Sequence, residues 1–345
     1  MRSEEKYTFN SFQIKSFVPK EEKSPTIESD IVYHYTSPEA FLSIVKNNKI
    51  RFTDIRYLND KTEGVYFVKL LLDFMDENKG NYPYFNEVVN RLLKGNDLRK
   101  IKNLETSNIE FAEIPKLPYV KERVFVFCTC TEADSLNMWN YYVNNSNYQG
   151  YNIGFRISNL LKAFDTPKEN TIDSFTVHYG KVLYTPKEHY AEIKCLAERI
   201  EKDITFHQND GQGVTELDLS YAQIRLRNYI DSLGKFYKHP KFKSEEEFRI
   251  ILEIADKRIP RKDIGAEHYF GIYNKKLQYD FCAKQGLVVP FLEVTFPDDA
   301  IYRITIAPTT EFEIAKEGVK ELLYESKIKG VKVFIHQKFQ LDFST

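Results

Sequence analysis

The stretch IVYHYTSPEAFLSIVKNNKIRFTD, residues 31–54, predicts a strand, a helix and a second strand in close succession. Its first six residues are aromatic or β-branched apart from one histidine, which is typical of a strand. Ser37-Pro38-Glu39 indicates a helix start, because serine caps free amides, proline suits the first turn and an acid suits the positive end of the helix dipole. Apolar spacing continues this helix to about Asn47, and Lys49 to Thr53 returns to a strand.

The rest of the chain contains further strand-like and helix-like sequence patterns. Strands are predicted at RVFVFCTC, GYNIGFRI, FTVHYGKVLY, EEFRIILEI, GLVVPFLEV, AIYRITIAP and VKVFI. Helices are predicted at 63–75, in DSLNMWNYYV with Asp134 as its cap, and at 187–207, 214–237 and 311–326. Strands in consecutive hairpins late in the chain, with helices grouped between them, favour an α+β fold over a doubly wound α/β fold.

Length and charge limit the domain plan and the partners. Residues 1–29 are charged and broken by prolines and are predicted to form an arm, and residues 30–345 a single domain with helical insertions near 78–117 and 187–237. Lys+Arg 49 against Asp+Glu 50 gives no overall attraction to nucleic acid or membrane. No apolar run suits a signal peptide or a membrane span, and four cysteines without a CxxC pair give no disulfide framework. A soluble cytoplasmic protein without a membrane partner is predicted.

Familiar nucleotide and metal motifs are absent from the sequence. It contains neither GxGxxG after a strand nor GxxxxGK[ST], and neither HExxH nor GxSxG. Its seven histidines lie far apart without ligand-like spacing, so no metal site is predicted. Carboxylates and aromatic side chains remain to carry any chemistry.

The stretch KSEEEFRIIL, residues 243–252, concentrates charge at the start of an apolar strand. If the strand includes all of it, alternation puts Glu245, Glu247 and Arg249 on one face. Two carboxylates beside a guanidinium suit one acid that stays ionised and a neighbour that orients a substrate hydroxyl. The alternative is a strand end that makes ordinary cross-strand ion pairs.

His34 and Thr36 share one face of the first strand. There the histidine could donate a hydrogen bond to a ribose or an amide with Thr36 assisting, or it could be a satisfied core residue. Trp139 and Tyr142, three apart on one helix, form either a stacking platform or part of the core.

The turn Asn59-Asp60-x-x-Glu63 follows the second strand. Its simplest interpretation is that Asp60 caps the helix that begins near Glu63. The turn then has a structural role, with no chemistry required of its carboxylates.

Taken in order along the chain, these patterns resemble a bacterial family catalogued as a domain of unknown function. Its members share a YHYT strand, an LND-x-x-E turn, an MW-x-x-Y helix and an E-x-E-x-R strand. Here the matching segments are residues 33–36, 58–63, 138–142 and 245–249, within a similarity from about Ile31 to Leu323. The chain departs from the family in having Phe242 where tryptophan is frequent, and in a longer segment from Asn78 to Leu117.

The opening unit also resembles that of ADP-ribosyltransferases, which implies a split, mixed or antiparallel sheet flanked by helices, with NAD as the substrate. The resemblance implies that His34 holds the NAD ribose or nicotinamide from the first strand. It implies that Glu247 binds the ribose 2′-hydroxyl and that Glu245 is the first acid of an E-x-E pair. The remaining residues expected at the NAD site are Tyr35, Thr36, Tyr57, Asn59, Asp60, Glu63, Trp139, Tyr142 and Arg249, with Tyr57, Trp139 and Tyr142 as the alternatives for nicotinamide stacking.

The predicted function is an NAD-dependent ADP-ribosyltransferase that acts as a toxin or anti-phage defence effector, with a neutralising antitoxin as partner. A macromolecular acceptor is expected, nucleic acid in preference to protein, and basic residues between Arg91 and Asn103 suit phosphate contact. One alternative is a non-catalytic module that senses NAD or another nucleotide or serves as an interaction module. A third is a metal-dependent nuclease built on Asp60, Glu63, Glu245 and Glu247.

Overall fold

The chain folds into one mixed, mostly antiparallel sheet flanked by helices, which confirms the predicted α+β class. The computed structural model describes residues 12–17, 30–58, 63–94, 122–143, 149–164, 175–207, 213–255, 277–284, 286–307 and 311–335. Within them the sheet has eleven strands: β1 Phe12–Phe17, β2 Ile31–Thr36, β3 Lys49–Asp54, β4 Glu122–Cys130, β5 Tyr151–Arg156, β6 Phe175–Lys181, β7 Glu247–Ala255, β8 Leu277–Lys284, β9 Leu287–Thr295, β10 Ile301–Ile306 and β11 Lys332–Ile335.

The described helices flank this sheet. They are α1 Pro38–Asn47, α2 Glu63–Glu77, α3 Pro83–Leu93, α4 Leu136–Tyr142, α5 Ile157–Leu160, α6 Pro186–His207, α7 Glu216–Ser232 and α8 Phe312–Glu325. None of them combines the length and the apolar run that crossing a bilayer requires.

The predicted opening unit forms as β2, α1 and β3. Ser37 Oγ accepts a hydrogen bond from the Ala40 amide at 3.3 Å, which caps α1 as expected. Asn48 ends the helix in the left-handed conformation at φ 48°, and its amide bonds Ile44 O. These two caps turn the chain directly from β2 through α1 into β3.

The sheet forks at β4. Its strand order is β1-β6-β7-β4-β2-β5-β10-β11, while β3 pairs with both β4 and β9, and β8 pairs with β9. One edge of β4 is therefore shared: Cys130 pairs with Tyr33 of β2, whereas Phe125 and Val126 pair with β3. Between these two pairings β2 and β3 diverge and leave a cleft.

Two large apolar cores lie on the two faces of the sheet. One includes Phe41 of α1, Phe52 of β3 and Val319 of α8. The other is formed under α2, α3, α6 and α7, and it contains Phe85 and Leu92 of α3. The described part of the predicted insertion at 78–117 thus packs into a core, because α3 presents one apolar face to its neighbours.

Several local predictions differ from the structure. Phe12–Phe17, inside the predicted arm, forms β1 and pairs in parallel with β6. The N-cap residue of α4 is Ser135 and not the predicted Asp134. The Asp134 carboxylate accepts a hydrogen bond from Trp139 Nε1 at 2.8 Å. Strand β8 was not predicted from its mixed sequence, LQYDFCAK.

The predicted strand through Glu245, Glu247 and Arg249 was wrong at its start. Residues Pro240–Glu245 form a 3₁₀ helix, and Glu246 follows in the left-handed conformation at φ 42°. Strand β7 therefore begins at Glu247, and Glu245 reaches the same region from the end of a helix. Glu247 and Arg249 do lie on one face of β7, as the alternation predicted.

Candidate active site

The cleft at the fork of the sheet has a volume of about 370 Å³, within the range of roughly 300–1,000 Å³ usual for small-molecule sites. Its lining includes His34 and Tyr35 from β2, Arg51 and Thr53 from β3, Cys128 from β4, Tyr142 from α4, Lys238, Phe242, Glu245, Glu247, Arg249 and Lys284. Strand β2 and the Glu245–Arg249 segment, some 200 residues apart in the chain, therefore face a common space.

Four charged side chains form the floor of the cleft. Arg249 Nη2 donates to Glu247 Oε2 at 2.8 Å, and Arg249 Nη1 donates to Lys235 O at 2.6 Å. Lys238 Nζ bonds Glu245 Oε2 at 2.6 Å and Glu247 Oε2 at 3.3 Å. Glu247 is 4% exposed and Arg249 1% exposed, so two acids and two bases balance each other away from water.

The pKa values of the Glu245 and Glu247 carboxyl groups are shifted in opposite directions. Burial alone would raise the pKa of Glu247, but the charges of Arg249 and Lys238 outweigh it and hold that pKa well below its usual range. Burial raises the pKa of Glu245, against the opposing effect of Lys238. Glu247 therefore stays ionised, while Glu245 takes up a proton more readily, a difference suited to separate roles.

Two further contacts hold Glu247 in place, one at its backbone amide and one at its carboxylate. Its amide donates to the Tyr184 hydroxyl at 3.1 Å, and the Cys128 thiol bonds its carboxylate. Burial raises the pKa of Tyr184, so its hydroxyl stays protonated. These bonds hold the Glu247 carboxylate at one place in the cleft.

His34 reaches the cleft from β2, which lies on the other side of β4 from β7. Its ring tilts against Phe127, with 4.8 Å between ring centroids, and its Nδ1 is 3.2 Å from Cys128 O. Burial lowers the pKa of His34 to about 4, so the ring is neutral at pH 7. A carbonyl accepts hydrogen bonds and does not donate them, so Nδ1 carries the proton and Nε2 is an acceptor. The expected donor role of His34 thus becomes an acceptor role.

The aromatic candidates separate by position. Tyr142 lines the cleft and is 41% exposed. Trp139 is 1% exposed and packs edge-on against Tyr35 at 4.9 Å between centroids, so it belongs to the core. Tyr57 ends a 3₁₀ helix next to Leu58, and of these two Leu58 is the one that lines the cleft. Tyr142 is therefore the aromatic residue of the three that a ligand could touch.

The other residues predicted at the NAD site either make structural contacts or lie outside the described residues. The Tyr35 hydroxyl donates to Glu132 O at 2.9 Å and accepts from the Ser135 amide at 2.8 Å, which anchors the start of α4. Thr36 is 6% exposed and is not among the cleft residues of the described chain. Asn59 and Asp60 lie outside the described residues, and so does the side chain of Glu63, whose backbone begins α2.

Lys238 is the main functional candidate that the sequence did not reveal. It is 5% exposed, bridges both carboxylates, and has its ammonium 4.7 Å from the centre of the Phe242 ring. The segment YKHPKFKSEEEF contains three lysines at similar spacing, and nothing in that pattern distinguishes the buried Lys238 from Lys241 or Lys243. Phe242 itself was visible, since it occupies the position where the resembled family often has tryptophan.

Arrangements suited to a metal ion are not found in the described chain, where no group of three histidine, cysteine or acidic residues is placed to hold one. Lys238 and Arg249 occupy the space beside the two carboxylates that a divalent cation would need. The nuclease hypothesis therefore gains no support from Glu245 and Glu247.

Comparison with known proteins finds one family-model match, over part of the chain. Residues 138–250 match a family model described as "Protein of unknown function (DUF2971)". The match begins within α4 and contains the 3₁₀ helix at Pro240–Glu245 and the first residues of β7, but not β2 with His34. No curated protein and no solved structure matches the chain.

Proposed function

We propose that the protein is an NAD-dependent ADP-ribosyltransferase with an ADP-ribosyltransferase-like split sheet, and that the cleft at the fork is its NAD site. The observation that carries this proposal is that His34 and the Glu245–Glu247 pair line the same cleft. Its volume of about 370 Å³ suits the nicotinamide riboside end of the substrate, with the remainder of NAD extending outward.

Glu247 is the residue assigned to bond cleavage. When the nicotinamide–ribose bond breaks, its electron pair leaves with nicotinamide and positive charge develops on the ribose ring carbon. A carboxylate that is ionised before substrate arrives and accepts a hydrogen bond from the 2′-hydroxyl stabilises this charge, by about 3–4 kcal/mol for one well-placed group. Arg249 and Lys238 keep Glu247 in that state.

His34 and two aromatic residues position the substrate. The free Nε2 of His34 accepts a hydrogen bond from a ribose hydroxyl or from the carboxamide nitrogen of nicotinamide. Tyr142 and Phe242 supply aromatic walls that pack against the flat ring and exclude water, which limits hydrolysis of NAD.

Glu245 is assigned to the acceptor. Its raised pKa suits a general base, and it sits at the end of the 3₁₀ helix, where it bonds Lys238. The acceptor oxygen or nitrogen forms a bond to the ribose ring carbon as nicotinamide departs, and its proton passes to Glu245. The products are nicotinamide and an ADP-ribosylated acceptor.

The acceptor is proposed to be a macromolecule, nucleic acid in preference to protein, in a toxin or anti-phage defence effector restrained by an antitoxin. Arg91 of the basic stretch is already bonded to Glu87 and Glu216, which leaves it less suited to phosphate contact than expected. Lys284 at the cleft is a better placed cation because it makes no ion pair within the described chain, whereas Arg51, which also lines the cleft, bonds Glu293 at 3.2 Å. Phosphates of NAD or of the acceptor could bind there.

The test is incubation of the protein with NAD labelled in the adenosine part and a cell extract, with and without EDTA. The wild type is expected to release nicotinamide and label a macromolecule in both conditions. The Glu247→Gln variant should lose about 10²–10³-fold in rate. Glu246→Gln, one residue away and outside the NAD cleft, is the matched control. A fully active Glu247→Gln variant would contradict the proposal, and cleavage of nucleic acid in the extract that occurs without labelling and is abolished by EDTA would indicate the metal-dependent nuclease.

One observation favours the non-catalytic alternative, a module that binds NAD or another nucleotide without turnover. Glu247 Oε2 already bonds both Arg249 and Lys238, and a structural ion pair would look the same. NAD binding measured by calorimetry, with no nicotinamide released by the wild type, would indicate this alternative.

A further inference from the structure

A second cavity lies beside the NAD cleft and is larger, at about 580 Å³. It is open to solvent on one side and is lined by α2, the start of α6 and the 3₁₀ helix at Pro240–Glu245. Phe242 lines both cavities. The proposed ADP-ribosyl transfer leaves this second cavity without a role.

Aromatic side chains form much of its wall. Tyr66 and Phe74 of α2, Tyr190 of α6 and Phe242 line it, with Leu70 between them. Tyr190 is 39% exposed and its hydroxyl donates to Asn78 Oδ1 at 3.0 Å, which holds the ring at the mouth. Such walls favour a flat ligand, because aromatic faces give large contact area at a small entropy cost.

His189 adds a buried acceptor to this wall. It is 1% exposed, and its Nε2 lies 2.8 Å from Leu183 O. Burial lowers the pKa of His189, so the ring is neutral, and the carbonyl requires the proton to be on Nε2. Nδ1 is then a buried lone pair, and no described residue donates to it. Nδ1 has almost no accessible surface, however, so a ligand in the cavity does not reach it, and the polar groups open to a ligand lie at the rim.

The rim of the cavity also offers acceptors. Glu77 is exposed and makes no ion pair in the described part of the chain, whereas Asp73 is bonded by Lys69 at 2.6 Å. The acceptor available to a ligand is therefore the Glu77 carboxylate, and Lys241, exposed and lining the same cavity, offers a donor. A neutral flat ring that carries both an N–H donor and ring-nitrogen acceptors fits these two groups.

We propose that the second cavity is a binding site for an adenine-type base, that is, a flat nitrogen heterocycle with an exocyclic amine. Its ring packs against the aromatic walls, and its amine donates to the Glu77 carboxylate at the rim. The bound base contacts Phe242, whose ring lies under the Lys238 ammonium that bridges Glu245 and Glu247. Binding at this site does not depend on the proposed NAD chemistry.

The test is calorimetric titration of the full chain with adenosine and with inosine, which differs in having a carbonyl in place of the amine. Adenosine is expected to bind, and inosine at least about tenfold more weakly, because its carbonyl cannot donate. Equal affinity for both nucleosides, or binding of neither, would overturn the proposal.

Variants locate the bound nucleoside. Leu70→Trp fills the cavity and should abolish adenosine binding, and Tyr190→Ala, at a partly exposed position, should weaken it about tenfold through lost stacking. Glu198→Gln, exposed on α6 away from the cavity, should bind like the wild type. Circular dichroism establishes that each variant is folded. Adenosine binding that survives both cavity substitutions would show that the base binds elsewhere, the NAD cleft included, and would refute this site.

Discussion

Arg249 Nη2 lies 2.8 Å from Glu247 Oε2, two residues apart on one face of β7, and both side chains are almost completely buried. Removing two charges from water costs free energy that their attraction only partly recovers, and an apolar pair of similar size is often as stable. The pair is therefore weak evidence for a stabilising role. Its place in the floor of a cleft is better explained by a need for a fixed, ionised carboxylate.

Replacing Arg249 by methionine tests this pair. Arg249→Met leaves Glu247 buried with Lys238 alone, and we expect the free energy of unfolding to fall by about 3–5 kcal/mol. Urea denaturation measures the change. The double variant Glu247→Gln/Arg249→Met should recover part of the loss, because no unpaired buried acid remains. A double variant that loses the sum of both single changes would show that the two residues do not interact.

The pH dependence of stability provides a second test. Since the folded pKa of Glu247 is lowered, its stabilising contribution is present above the unfolded glutamate value of about 4.3 and is lost as pH falls through the folded pKa. Below pH ~4.3 the unfolding free energy of the wild type should fall more steeply than that of Glu247→Gln. Parallel curves for the two proteins would mean that Glu247 is not held ionised by its neighbours.

If Glu245 is the general base for the acceptor, its loss should affect acceptor labelling and nicotinamide release differently. Glu245→Gln should lower acceptor labelling by about 10²–10⁴-fold while nicotinamide release from NAD continues, because the base is needed for the acceptor and not for bond cleavage. In the wild type, labelling should fall on acidification already above the usual glutamate pKa, since burial raises that of Glu245. Chromatography of nicotinamide and counting of labelled acceptor give both rates. Equal loss of both products would assign Glu245 to cleavage.

Local signals explain which parts of the fold could be predicted. The caps at Ser37 and Asn48 act within a few residues, so the β2–α1–β3 unit was predictable from its sequence. The break before β7 was not, because Glu246 adopts its left-handed conformation while its carbonyl bonds the Thr131 amide of a distant segment at 2.8 Å. Strand β1 depends likewise on pairing with β6, more than 150 residues away.

The candidate site was predictable only in part, for the same reason. Alternation placed Glu247 and Arg249 on one face, but nothing in the sequence alone brings them opposite His34; that expectation rested on resemblance. The tautomer of His34 depends on Cys128 O, which belongs to a strand 94 residues later. Lys238 is buried by tertiary packing that its lysine-rich neighbourhood does not encode.

The tautomer of His34 is directly measurable. With ¹⁵N-labelled protein at pH 7, NMR should show Nδ1 protonated and Nε2 unprotonated, with titration of the ring near pH 4 because burial disfavours its charged form. NAD should shift the Nε2 resonance if that atom accepts a hydrogen bond from the substrate. A proton on Nε2, or titration near the ordinary value of ~6.5, would refute the acceptor role.

Gly150, the residue before β5, packs closely against β2, the strand that carries His34. A Cβ there would lie 2.6 Å from the backbone oxygen of Thr36 and would also collide with Val143. Because the Thr36 oxygen belongs to β2, which cannot yield as a side chain could, Gly150→Ala should displace the strand that carries His34. We expect a loss of about 1–3 kcal/mol in unfolding free energy, together with weaker NAD binding.

Gly318 of α8 is the matched control, because a Cβ there meets nothing within 4 Å. Gly318→Ala should stabilise the protein by about 0.5–1 kcal/mol through its better helix propensity and leave NAD affinity unchanged. Thermal unfolding and calorimetry measure both properties for the two variants. If Gly150→Ala lowered stability with no effect on NAD affinity, the position of β2 would not govern the cleft, and the assignment of His34 to the NAD site would lose its geometric basis.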